Sequence, residues 1–298
     1  MSALESGVVN VPPQRIDAWL GKVQAGSSVA ALSAAIPMKF GKGEAMVFDI
    51  GEAEYVGEGQ AKGPTEVKHK MQTTDPFKFH KTIRMNEEVL WADEDHQLDT
   101  VEQILEQCQP ALSRALDFGI FHGINPTGGT PVAAMTQKLS EATSVVTLAP
   151  TDRAYAALDA ADALVLANGF VPRDAALDPA WAAAFSTLRN KTSEQKLYPN
   201  FRLSEEVSEL EGHRASVNRT VGALKVAATP TDILGAVGDF GGIRWGIQKA
   251  IGLELIKYGD PDGKGDLKRF NQCAFRVEVV YGWGIADLDA FALVKKGA

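Results

Sequence analysis

Three patterns predict an α+β fold. Apolar residues alternate with polar ones from Phe77 to Met85, recur at helical spacing from Val101 to Ile120, and alternate again from Cys273 to Ile285. A chain of 298 residues is long enough for one or two domains with a proper core. Its 45% apolar and 23% charged residues make an ordinary globular mixture, which excludes a disordered chain. Lys and Arg number 30 against 38 Asp and Glu, a formal charge of -8 with a pI near 5.2. That balance argues against a general nucleic-acid binder, whose affinity comes from neutralising phosphates. No stretch approaches 18 uninterrupted apolar residues, so no membrane span is expected. The first residues lack the basic and apolar regions of a secretory signal. Two Cys make neither a disulfide framework nor a four-thiolate zinc site, which points to a soluble protein of a reducing compartment.

In chain order, residues 1–25 read as an arm. Pro12-Pro13 forbids helix, and Gly21, Gly26, Ser27 and Ser28 loosen the chain toward the body. Such an arm frays unless something holds it, and a neighbouring subunit is the simplest anchor. Short strands come next, at Ala45–Ile50 and Ala53–Val56, interrupted by Gly51. The polar excursion 57–76 has nothing to fill a core and is longer than compact domains keep as plain loop. With the period-two strand beyond it, where Phe77, Phe79, Ile83 and Met85 share one face, it makes a long projecting hairpin.

The strongest helix starts at Asp99 or Thr100, with Gln103 completing a capping box. Val101, Ile104, Leu105, Cys108, Leu112, Leu116 and Ile120 form its apolar stripe, and Pro110 is expected to kink or split it. The segment 123–131, GINPTGGTP, ends it. An Ala-rich helix spans 151–168 and stops at Asn168-Gly169, and Asp178-Pro179 opens another that runs to about Leu188. Strand-like pieces lie at Val221–Ala227, Ile233–Val237, Ile243–Ile247 and Leu253–Tyr258, before the long strand Cys273–Ile285.

Chemistry-bearing motifs are scarce. His69, His80, His96, His122 and His213 stand singly, without helical metal-site spacing, and read as surface histidines that are solvated or hydrogen-bonded. Cys108 and Cys273 fall on apolar faces and read as small core residues. The segment 260–271 imitates the start of a calcium loop with Asp260, Asp262 and Gly265. Lys264 and Asn271 then stand where charge and a bidentate carboxylate are needed. No phosphate-binding loop or nucleophile elbow occurs. The acidic run 87–99 (Glu87, Glu88, Asp93, Glu94, Asp95 and Asp99) reads as helix-start charge and ion-pairing partners. From residues alone the chain is an α+β protein with a projecting hairpin, an arm and no active site.

Three segments in order carry a resemblance. They are TIRMNEEVLWADEDHQLDTVEQILEQCQPALSRALDFGIFHGINP (82–126), GDF (238–240) followed by IRWGI, and NQCAFRVEVVYGWGIADLDAFALVKK (271–296). They resemble the major capsid proteins of tailed double-stranded DNA bacteriophages, which share the Hong Kong 97 fold. The resemblance implies an N-terminal arm (1–25), an extended β-hairpin loop (39–81) and an axial domain (146–262). It also implies a peripheral domain from 26–38, 82–145 and 263–298, with a long spine helix at about 100–122 and a β-sheet joined by the strand 273–285. The implied function is structural: self-assembly into the icosahedral capsid enclosing a double-stranded DNA genome, with no enzymatic activity and no cofactor or metal.

The implied partners are further copies of the chain, in hexamers and pentamers. A separate scaffolding protein, suggested by an arm that starts at Met1, a portal and a decoration protein join them, and the DNA is held without specific recognition. The location is the virion capsid, assembled in the bacterial host cytoplasm, with no membrane. Mixed hairpin charges, Glu58, Lys62, Glu66, Lys68 and Lys70, together with Arg84, Glu88 and Asp93, suit salt-tunable contacts between subunits. Some relatives crosslink a hairpin lysine to an asparagine of a neighbour. Lys62, Lys68, Lys70 and Asn271 are the residues that would do so here, and since most relatives lack the link it is not expected. Two other readings are an encapsulin-like nanocompartment shell and a soluble enzyme.

Overall fold

The computed structural model describes residues 26–49, 55, 56, 58, 60, 68–88, 108–150, 152–223 and 229–297. The arm 1–25, residues 50–54, the acidic run beyond Glu88, the proposed cap at Asp99 or Thr100 and the stripe residues Val101, Ile104 and Leu105 lie outside them.

The first element, α1 (Ser28–Leu32), is a single turn of helix. Ser27 caps it by accepting from the Ala30 N–H, and Ser28, Val29, Ala30 and Leu32 are all buried. Strand β1 (Gly43–Asp49) pairs antiparallel with the first part of β2 (Lys68–Asn86). The alternation seen from Phe77 to Met85 belongs to this 19-residue strand, whose later part, from Asp75 to Asn86, pairs with the long C-terminal strand.

The described part of the central helix, α2 (108–117), is continuous through Pro110, so it is not split there. It widens into a π-helical turn, Phe118–His122, and ends on the left-handed Gly123 (φ 63). Cys108, Leu112, Leu116 and Ile120 pack against Val277, Val279, Tyr281, Trp283 and Ile285, the odd face of the C-terminal strand. The Tyr281 hydroxyl donates to the Leu112 carbonyl at 3.2 Å, and Trp283 Nε1 donates to the Gln137 carbonyl at 3.0 Å. Phe77 stacks on Trp283 with ring centroids 4.2 Å apart.

The remaining elements are β3 (Ser144–Leu148), α3 (Ala154–Ala167), β4 (Asp174–Leu177), α4 (Pro179–Thr187), β5 (Ser208–Leu210), β6 (His213–Val217), β7 (Ile233–Gly238), β8 (Ile243–Ile256), β9 (Gln272–Ile285) and β10 (Phe291–Lys296). Asp178 caps α4 through the Ala180 N–H, with Pro179 at the first position, and Gly169 (φ 85) comes after α3, as the sequence predicts. The strands form a four-stranded sheet in the order β1-β2-β9-β8 and a six-stranded sheet in the order β3-β10-β7-β4-β6-β5. The six-stranded sheet is covered on both faces. Leu158, Ala161, Trp181 and Phe185 of α3 and α4 meet Leu177, Ala215, Val237 and Val294 on one side. Ala176, Ala236, Phe291 and Leu293 face α1 and α2 on the other.

Three sequence expectations change. Residues 221–223 are a turn and not the start of a strand, because Asn218 Oδ1 accepts from the Thr220 N–H and bends the backbone; residues 224–227 lie outside the described ones. The pieces Ile243–Ile247 and Leu253–Tyr258 are one strand, β8, whose register slips between Ile247 and Lys249 and again between Ile251 and Glu254. Each slip changes side-chain parity and hides the continuity. Sheet membership also crosses the expected segment bounds. β8 falls within 146–262 yet pairs with β9, β10 falls within 263–298 yet sits between β3 and β7, and β2 runs on past residue 81.

Gly119, in the π-helical turn, faces the Trp283 indole. A Cβ there would lie 2.4 Å from Cη2 of a ring that is 1% exposed and anchored through its N–H. Gly119→Ala is therefore expected to destabilise the unassembled subunit by about 1–3 kcal/mol in urea unfolding. An unchanged midpoint would show that the ring can yield.

Candidate assembly interface

Strand β9 reaches Trp283 opposite Asp75, and from Thr74 back to Lys68 the partner strand of β2 among the described residues is β1 alone. At about 3.3 Å per residue, the seven paired positions Gly43–Asp49 and Lys68–Thr74 make a two-stranded ribbon about 23 Å long. Gln137 Nε2 donates to the Thr73 carbonyl at 2.8 Å, and Lys42 pairs with Asp75 at 3.0 Å, so the base of the ribbon is fixed to the body. An isolated two-stranded ribbon is marginal in water.

The predicted contact residues divide by place. Lys68 and Lys70 lie on the ribbon opposite Asp49 and Val47. Glu58 and Glu88 are exposed, while Lys62, Glu66 and Asp93 lie outside the described residues. Asn271 is exposed, left-handed (φ 54), and accepts the Glu87 N–H on its carbonyl at 2.9 Å. It stands beside Asn86 at the far end of β2, about 50 Å along the strand from Lys70.

Arg84 is a correction. Its guanidinium donates to Asp262, to Asp260 at 3.3 Å, to the Gly265 carbonyl at 2.8 Å and to Gln272 at 3.0 Å. The loop that imitates a calcium site thus closes on an arginine. Asp260 also accepts the N–H groups of Lys264 and Gly265, and the Arg84 guanidinium holds the Asp262 carboxyl below its usual range. Glu87 is used in the same way: it is 7% exposed and pairs with Lys268 at 2.8 Å. Arg84→Ala is expected to lower the Tm of the unassembled subunit by a few degrees. A residue reserved for neighbours would leave that Tm unchanged and impair assembly alone.

Sequence reasoning missed the polar knot around Asp117. One carboxylate oxygen accepts the Ser27 hydroxyl and, at 3.1 Å, the Val29 N–H; the other accepts the Thr220 hydroxyl and, at 2.9 Å, the Ser28 N–H. Around it, Asn218 Nδ2 donates to the Gly26 carbonyl at 3.2 Å, and the Ser28 and Ser216 hydroxyls lie 3.1 Å apart. On the far side of α1, Arg214 donates to the Leu32 carbonyl and to Asp174 at 2.7 Å. Trp245 Nε1 donates to the Ser33 hydroxyl at 3.0 Å. The available signal was a lone Asp in the otherwise apolar run Ala115–Phe121.

Burial pushes the Asp117 carboxyl up from 3.8 to about 6, against the pull of its four donors. A folded value above the unfolded one contributes stability that is fully present below about pH 4 and is lost as pH rises through about 6. Asp117→Asn cannot titrate, and its NH₂ must face a backbone N–H whichever oxygen it replaces. That variant is expected to lose about 2 kcal/mol or more. The advantage of the wild type is expected to be largest near pH 4 and smaller above pH 6 in urea unfolding at several pH values. An advantage that grows with pH would contradict this account.

Of the other reactive groups, both thiols and two of the histidines are buried. Cys108 and Cys273 are buried, which pushes both thiols up. His80 stands opposite Glu278 on the sheet, His69 opposite Phe48, and His96 lies outside the described residues. His122 and His213 are buried, not on the surface as predicted. His122 Nε2 lies 3.0 Å from the Thr220 carbonyl, and burial lowers its pKa. A groove of about 940 Å³ opens beside α1, lined among others by Ala31, Ala34, Glu205, Val207, Arg214 and Arg244. Among the described residues no group of three His, Cys, Asp or Glu could hold a metal ion, and no helix is long and apolar enough to cross a membrane.

No curated protein sequence matches the chain. Among solved structures, a chain from Mycobacterium phage Ogopogo is similar at 36% identity and a TM-score of 0.79, covering 100% of this chain and 97% of that one. One from Gordonia phage Cozz is 28% identical with a TM-score of 0.73, over 91% and 87%. The capsid of a native GTA particle shares the fold at 15% identity and a TM-score of 0.59, over 100% and 94%. The Phage capsid family matches residues 7–296, nearly the whole sequence. With two sheets joined through a central helix and a ribbon carried beyond the body, the chain belongs to the phage capsid family, as a structural shell protein of a tailed phage with a Hong Kong 97-like fold.

Proposed function

We propose that this capsid subunit closes its shell by laying the β1–β2 ribbon on a neighbouring copy. The observation that carries the reading is the ribbon itself, seven paired positions at which, among the described residues, the two strands pair only with each other. A neighbour supplies the covering surface, and Lys68 and Lys70 with Glu58 and Glu88 give the contact its salt dependence. Arg84 leaves the set of contacts, because its partners lie within the subunit.

In this reading the copies assemble as hexamers and pentamers in the host cytoplasm, around a separate scaffolding protein and a portal, with a decoration protein added outside. The formal charge of -8 supports a container that holds double-stranded DNA without gripping it. The subunit works by assembly and not by catalysis. Segments 39–81 and 146–262 then serve as extended loop and axial domain, 26–38, 82–145 and 263–298 as peripheral domain, and 1–25 as the N-terminal arm.

Deleting residues 58–72, from the excursion into the start of β2, tests the ribbon. The expected product is a soluble subunit whose Tm is within a few degrees of the wild type and which forms no closed shells in negative-stain microscopy, with the scaffolding partner supplied. Shells of normal diameter from the deletion variant would overturn the role given to the ribbon.

A further inference from the structure

The outer edge of the six-stranded sheet is the three-residue strand β5, which pairs only with β6. The two are joined by Glu211 (φ 50) and Gly212 (φ 87), a tight left-handed turn, and His213 opens β6. Side chains alternate along a strand. Arg214 therefore points away from His213, toward Asp174 and the Leu32 carbonyl.

His213 is 6% exposed, and both of its ring nitrogens have a partner. Nε2 lies 3.0 Å from a carboxylate oxygen of Asp162, on α3, and Nδ1 lies 3.2 Å from the Leu210 carbonyl, at the end of β5. Both partners are acceptors. A neutral imidazole has one N–H and one lone pair, so in this site it would set one lone pair against an oxygen; an imidazolium donates to both.

Besides Asp162, the charged group that acts on His213 is Glu211 of the turn, which raises its pKa too. The Glu211 carboxylate also accepts the hydroxyl of Tyr198, from the segment before β5, on which Asp159 and Tyr155 of α3 act in turn. The side chain of Asp162 is 23% exposed, which gives the proton a route to solvent.

We infer that His213 is a proton-operated clamp, an imidazolium that ties the β5–β6 edge to α3 and releases it when the proton leaves. The hydrogen bond that His213 donates to Asp162 raises its pKa above 6.5, outweighing burial, which lowers it. The clamp's contribution is thus complete below pH 6.5 and is lost as pH rises through the higher folded value. Acid leaves this edge closed, and alkaline conditions open it. The clamp acts within one subunit, so it stands or falls independently of the ribbon.

The test uses the full-length subunit. Histidine-selective ¹⁵N spectra track the titration of His213, assigned by its absence in His213→Gln. Hydrogen exchange of residues 208–217 is measured across the same pH range after correction for intrinsic rates. The wild type is expected to titrate above 6.5 with both ring nitrogens protonated at pH 6.5, and Asp162→Asn to bring the midpoint back to 6.5 or below. Protection of 208–217 is expected to fall on the order of tenfold as His213 loses its proton, and His213→Gln to abolish that pH dependence. If His213→Gln does not fold, the wild-type and Asp162→Asn titrations decide. A wild-type midpoint at or below 6.5, or exchange in 208–217 that varies as much with pH in His213→Gln, would overturn the clamp.

Discussion

The body of this subunit depends on one buried carboxylate. Asp117 accepts four hydrogen bonds, three of them from the residues that enter α1 and one from the turn after β6. An ionised group removed from water is tolerable only when its lone pairs are filled, and here every donor belongs to a different backbone or hydroxyl group in a fixed place. The requirement acts in both directions. Three of the donors belong to consecutive residues, Ser27, Ser28 and Val29, so the carboxylate helps to fix where the chain enters α1. Because that entry segment also holds Arg214 of the six-stranded sheet and Trp245 of the four-stranded sheet, the two sheets are fixed to each other through a single turn of helix.

That arrangement explains why the core is continuous although the chain passes back and forth between the sheets. The face of β9 carrying Tyr281 and Trp283, the apolar stripe of α2 and the inner face of β10 and β7 are one cluster. β8 leaves the six-stranded region through the capped turn at Asp239 to join β9, and β10 makes the opposite crossing after Ile285. A cut between the sheets would expose this shared apolar surface. The two sheets are therefore held together by one shared core.

Much of this architecture was legible in the residues, because the elements that build it have one wet face and one dry face. The period-two runs gave β2 and β9, and the i, i+4 stripe gave α2. The six-stranded sheet was largely invisible for the converse reason. All four residues of β4, Asp174–Leu177, are buried and Phe291–Val294 of β10 are buried too, so neither alternates. β8 was half legible, its parity broken by two register slips. The candidate contacts were less legible still. A charge in sequence does not show whether its partner is a neighbour, water or the same chain. Arg84, Glu87 and His213 all proved to be answered from within, by Asp262, Lys268 and Asp162 at 178, 181 and 51 positions away.

The ribbon and the fixed charges together define the surface left for a neighbour to meet. On the outer face of the four-stranded sheet Lys78 pairs with Glu278 at 2.6 Å, Arg276 donates to Thr82 at 3.2 Å, and Arg84 is enclosed by the 260–265 loop. These cross-strand pairs stiffen the base from which the ribbon projects. Lys70 and Asn271 stand about 50 Å apart along that stiffened strand, at its opposite ends. Within one subunit Lys70 therefore cannot meet Asn271. A thin ribbon whose described contact with the body lies at its base is what supports reading it as the part that a neighbouring copy covers.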